Sequence, residues 1–146
     1  MQRTDSLAAA AAYFDAGSFF ADLQRRVAFR TESDTGAATP ALEAYLREEL
    51  VPPLAALGFA CEVIANPVPG GGPFLIARRI EDPALLTVMT YGHGDVVSGQ
   101  DAHWEEGLAP WALMARGERW YGRGTADNKG QHSINLGGLA AALEAR

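Results

Sequence analysis

Leu85-Leu86-Thr87-Val88-Met89-Thr90-Tyr91 is the stretch on which the reading of this chain turns. It is apolar on both faces and carries no glycine or proline, the pattern of a central strand buried in a sheet. Directly behind it stands Gly92-His93-Gly94-Asp95-Val96-Val97. In open α/β sheets, ligand sites form beyond the carboxyl ends of strands. That rule puts His93 where a site is expected.

Working outward toward the N-terminus, Phe59 to Ile64 and Phe74 to Ile80 read as two further strands. Asn66 to Gly72, with its prolines and glycines, reads as the turn between them, and Glu81-Asp82-Pro83 as the next turn. Ahead of the strands the periodicity is helical. Ser18 is placed to cap a helix through Phe19, Phe20, Leu23, Val27 and Phe29, with Arg25 and Arg26 on the other face. Thr31 to Thr39, with Gly36, reads as a loop. Thr39-Pro40 is a cap followed by proline at the first helical position, opening a helix marked by Leu42, Tyr45, Leu46 and Leu50. Pro52-Pro53 interrupts that pattern and Gly58 fits a C-terminal stop.

In the other direction, a polar segment rich in glycine, tryptophan and acids runs from Gly92 to about Asp127. Gly130 to Arg146 is a helix marked by Ile134, Leu136, Leu139 and Leu143. Gly137-Gly138 weakens it locally but permits close packing. Helices, strands, a long loop and a helix make an α/β layer architecture. The final helix has no strand after it, so this βα pair does not return to its sheet, and part of the layer is expected elsewhere.

Acidic side chains outnumber basic ones by 18 to 12, for a net charge of −6. Phosphate binding draws on clustered Lys and Arg, so this balance argues against nucleic acid and against a basic membrane-surface helix. Cys61 is the only cysteine. It forms no intrachain disulfide, and its apolar neighbours point to an inert buried thiol. Leu7 to Phe14 is too short and too acid-flanked for a secretory signal, and no run reaches membrane-spanning length, which makes the cytoplasm the expected location.

Two clusters carry chemistry. Imidazole is the commonest ligand of zinc-like metals, and Asp95 lies two residues on, able to orient His93 through its other ring nitrogen. Taken alone, His-x-Asp reads as a loop histidine. The second cluster is Tyr121-Gly122-Arg123-Gly124-Thr125-Ala126-Asp127-Asn128-Lys129-Gly130. Asp127 ends that loop just before the last helix. A carboxylate there can bridge two metal ions, but alone it reads as a helix N-cap. Arg123 reads as a brace for the loop, and the Walker phosphate pattern is absent.

In order and spacing, His93-x-Asp95-Val96-Val97, Trp104, Tyr121-Gly122-Arg123-Gly124 and Asp127-Asn128-Lys129-Gly130 resemble one metallopeptidase family. Its members include aminoacylase, carnosine dipeptidase, succinyl-diaminopimelate desuccinylase and glutamate carboxypeptidase. The likeness runs from Thr87 to Leu143. It implies the N-terminal portion, residues 1–146, of a zinc-peptidase-type three-layer catalytic domain with a mixed sheet and helices on both faces. The remainder of that domain and a lid or dimerisation domain would lie outside the chain. It implies that His93 ligates one metal, that Asp127 bridges two, usually zinc with cobalt or manganese as alternatives, and that Asp95 supports catalysis. It further implies hydrolysis of peptides or N-acyl amino acids by a metal-activated water, a glutamate general base, and a homodimer of the whole protein.

The chain also departs from that family. The adjacent glutamates of the family pattern follow the Asp127 motif. Glu48-Glu49 and Glu105-Glu106 precede it and read as solvated surface acids. His103 and His132 match no ligand position and read as surface residues or supports behind the site. Trp104, Trp111 and Trp120 read as packing residues by default, with Trp104 or Trp111 as the candidates to line a cleft. With the base and the remaining ligands unaccounted for, a non-catalytic fragment or weak metal-binding module is the competing expectation.

Overall fold

A computed structural model describes residues 3–33 and 38–144. Four helical segments lead: α1 (Arg3–Asp15), α2 (Ser18–Ala28), α3 (Ala38–Ala44) and α4 (Val51–Ala56). The hairpin β1 (Ala60–Ile64) and β2 (Phe74–Arg78) follows, then a second hairpin, β3 (Met114–Arg116) and β4 (Arg119–Tyr121), and last α5 (Lys129–Glu144).

The expected first helix forms as α2, and α1 stands ahead of it as a helix the sequence reading did not place. Gly17, at φ 77°, turns the chain between them and occupies the cap position assigned above to Ser18, which becomes the first helical residue. Phe19, Phe20, Leu23 and Val27 face inward as their spacing requires, packing with Leu113 and Trp120. Phe14 stacks on Trp120, so this tryptophan is core, as expected. Arg26 is fully buried, against the outward face read for it. Its guanidinium donates to Ser133 Oγ at 2.7 Å, tying α2 to α5. Gly137 earns its place on α5 by proximity: a Cβ there would sit 2.7 Å from the Tyr13 ring of α1.

The second expected helix also forms. It is described from Ala38, so Thr39 lies within its first turn, and the expected loop residue Gly36 lies outside the described residues. A π-helical segment, Tyr45–Leu50, links α3 to α4, and Pro52 and Pro53 sit in the first turn of α4, where missing N–H groups do no harm. Gly58, at φ 81°, ends it. Tyr45, Leu46 and Leu50 form a second core with Phe29, Val63, Leu75 and Leu136. Glu49 is buried, not solvated as expected; it accepts from Arg25 Nε at 3.3 Å, so an ion pair compensates its burial. Glu48, Glu105 and Glu106 are exposed.

β1 and β2 pair antiparallel, Ala60 opposite Arg78 through Ile64 opposite Phe74. Cys61, on β1, is half-buried, and burial raises its thiol pKa, which keeps it protonated. The expected central strand is the main correction. Residues 85–91 pair with no strand among the described residues, and Leu86 and Met89 are 97% and 90% exposed. A strand needs a hydrogen-bonded neighbour and a covered face, and the run has neither here.

Candidate metal centre

His93 follows this run and is held from three sides. Its backbone N–H donates to Asn128 Oδ1 at 3.3 Å. Thr31 Oγ1 donates to the carbonyl of Gly94 at 2.6 Å. Val96 N–H donates to Thr31 O at 2.9 Å, and a parallel bridge pairs Val96 with Glu32. The loop is thereby anchored to the segment after α2 and to the start of α5.

Asp127 arrives from the other cluster. The turn Gly122 to Thr125 closes through Thr125 Oγ1 on Gly122 O at 2.9 Å. Gly130 N–H then reaches Gly124 O at 3.1 Å as α5 begins, and any Cβ at Gly130 would strike Thr125 O. Arg123 braces the loop as expected, donating to Gly99 O at 3.4 Å and lying over the Trp104 ring. Trp104 donates its indole N–H to the same carbonyl at 2.7 Å, so it packs the loop wall. Arg30 covers Trp111.

The two clusters meet at His93. Its Nδ1 lies 3.1 Å from Asp95 Oδ1, and its Nε2 lies 2.9 Å from Asp127 Oδ1. Carboxylates only accept, so each ring nitrogen donates to the carboxylate it faces whenever it carries the proton. Burial lowers the His93 pKa, but the hydrogen bonds and charges of Asp127 and Asp95 outweigh it and the net shift is upward. With the proton on Nδ1, toward Asp95, Nε2 is the nitrogen left for a metal. One imidazole nitrogen and a 77% exposed carboxylate are a donor set that zinc, cobalt and manganese accept. These residues fit a metal as part of its ligand set. Among the described residues no third His, Cys, Asp or Glu completes a cluster.

Sequence reasoning found His93, Asp95 and Asp127, and the structure brings them together. It missed what lies beneath. Lys129 is fully buried, its ammonium on the Phe29 carbonyl and 5.2 Å from the Tyr45 ring centre; burial pushes its pKa down to about 7. Tyr45 had registered only as an apolar mark of a helix. A buried tyrosine hydroxyl needs a partner, and that was the available signal. Its partner is His132 Nδ1, at 2.8 Å. Burial lowers the His132 pKa to about 4. His132 therefore lies packed behind the His93 loop, next to Gly92, whereas His103 is exposed.

Residues 89–146 match the sequence model of Peptidase family M20/M25/M40. Human carnosine dipeptidase 1 resembles 94% of the chain at 27% identity, with a TM-score of 0.72. The dipeptidase Dug1p from Saccharomyces cerevisiae resembles 97% of it at 20% identity, with a TM-score of 0.79. The family match takes in His93, Asp95 and Asp127. The likeness in fold extends over nearly the whole chain, so the helices ahead of the M20 segment are part of the same α/β architecture. The chain spans 31% and 32% of the lengths of the two dipeptidase structures, about a third of each.

Proposed function

We propose that this chain supplies the first metal-holding elements of a metal-dependent peptidase. Residues 1–146 would be the N-terminal portion of its catalytic domain. The observation that carries this reading is the alignment of Asp95, His93 and Asp127 through the two ring nitrogens, inside a segment with the M20/M25/M40 pattern. His93 would hold one ion through Nε2, and Asp127, with a second carboxylate oxygen to offer, would bridge to another. Zinc, two ions per complete site, suits the donors, and cobalt or manganese would substitute. Bound zinc supplies Lewis acidity and lowers the pKa of coordinated water. The residues here hold and orient: Asp95 keeps the proton on Nδ1, and Asn128 and Thr31 fix the loop that carries the ring.

The substrate class is a dipeptide or an N-acyl amino acid cut at its amide bond, in keeping with dipeptidases of the same fold. No described helix is long and apolar enough to cross a membrane. The acidic composition fits neither nucleic acid nor an anionic membrane as partner. A cytoplasmic enzyme that dimerises in its whole form belongs to the same reading.

The two-donor set favours a second reading for residues 1–146 by themselves: a weak metal-binding module without hydrolytic activity. Catalytic zinc takes three protein ligands and an open position. The test compares metal content and dipeptide hydrolysis in the full-length protein and its His93→Ala and Asp127→Ala variants. Loss of metal and of activity in both is expected. Unchanged metal and activity in both would sink the peptidase reading, and chelator-sensitive hydrolysis by the 146-residue chain would sink the second.

A further inference from the structure

The loop that carries His93 rests on a polar floor built from two helices. Tyr45, fully buried, comes from the π-helical segment after α3, and His132 from the first turn of α5. Besides the bond at 2.8 Å, their rings stack with centres 6.0 Å apart and planes 24° from parallel. Both glycines flanking His93 lie against this pair. A Cβ on Gly92 would fall 2.4 Å from His132 Nε2, and one on Gly94 would fall 3.0 Å from the Tyr45 ring. A side chain at 92 would lift the backbone off the floor, and at 94 the ring would have to give. The backbone of His93 itself is tied to Asn128, whose side-chain amide binds Gln131 one residue from His132.

We propose that Tyr45 and His132 are positioning residues for the metal ligand His93, acting through Gly92 and Gly94. The proposal rests on the metal reading above but adds residues with no ligand role. The physical cause is rigidity. His93 meets Asp95 and Asp127 at opposite ring nitrogens, so a small rise of the loop breaks one contact or the other. Tyr45 is locked by burial, and its hydroxyl sets the rotation of the His132 ring. That ring in turn sets the height of Gly92. Supports behind metal ligands typically change affinity about 10- to 100-fold when removed.

The test uses Co(II) binding to the 146-residue chain, followed through the His93 ring signals in NMR spectra. It compares wild type with Tyr45→Phe, His132→Ala, His132→Asn and His93→Ala. Tyr45→Phe and His132→Ala are expected to bind about tenfold more weakly. Asn retains an atom able to accept from Tyr45, so His132→Asn should stay within about threefold of wild type. A role confined to stability would leave the His93 tautomer unmoved before metal is added. The proposal expects the Nδ1-protonated fraction to fall in Tyr45→Phe and His132→Ala and to recover in His132→Asn. If His132→Ala does not fold, Tyr45→Phe, which leaves the ring packing in place, decides alone. Folded floor variants with wild-type affinity and tautomer, alongside loss of binding in His93→Ala, would overturn the floor. Binding that survives His93→Ala would overturn the metal reading beneath it, and only that variant reports it.

Discussion

Residues 85–91 and 92–97 adjoin in the chain and invert what composition leads one to expect. The first run is apolar and lies open, with Leu86 97% exposed. The second is glycine-rich and carries charged and titratable side chains, yet Val96 is 3% exposed and Thr31, which grips the loop, is fully buried. The difference is in partners. Thr31, Ser33 and Asn128 come from distant parts of the chain and supply hydrogen bonds to the site loop. Hydrophobicity expresses a preference for burial, and burial itself needs a neighbouring element.

The largest effect that would sharpen this contrast is in stability. Leu23, buried against Val27 and Leu113, should cost about 2–5 kcal/mol on substitution by alanine. Leu86→Ala in the 146-residue chain should change stability by no more than about 0.5 kcal/mol. Urea denaturation of both variants measures this. If, as proposed, the chain is the front of a larger catalytic domain, neighbouring strands would cover the run there and Leu86→Ala should cost as much as Leu23→Ala. A neutral result there breaks the contrast.

Acid comes next. His132 has a folded pKa of about 4, lowered by burial, against 6.5 when unfolded. The unfolded chain binds more protons between those values, so stability falls as pH drops from about 6.5 toward 4. Its ceiling is about 3 kcal/mol. His93, with its raised pKa, has the opposite sign: its contribution is present below the unfolded value and fades as pH rises through the folded one. Thermal melts of wild type and His132→Asn from pH 4 to 8 separate the two. A wild-type curve as flat as the variant's in acid would contradict the burial of His132.

Most of the helical framework was legible, and the reason is local. Phe19, Phe20, Leu23 and Val27 repeat at the helical period, and a period is a property of neighbours in sequence. The hairpin between β1 and β2 was legible too, because Asn66 to Gly72 announces its turn. Residues 85–91 were misread because a strand is completed by remote partners. His93, Asp95 and Asp127 showed through their order in the chain. Thr31, Tyr45 and His132 did not, because their service to the site depends on contacts 63 and 87 residues apart.

The smallest effect concerns that grip. Thr31→Val removes the hydrogen bond to Gly94 O at nearly constant volume and should cost about 1 kcal/mol. Denaturation measures the cost, and added exchange broadening of Gly94 in NMR spectra would show the loop loosening. No change in either would make the loop as unanchored as the run before it.

The central claim is that His93 and Asp127 hold one cation while Asp95 keeps the other ring nitrogen protonated. Nitrogen-15 NMR of the His93 ring during a Zn(II) titration tests it most directly. Metal is expected on Nε2, with Nδ1 still protonated and the response lost in Asp127→Ala. Metal on Nδ1, or no response from the His93 ring, would contradict it.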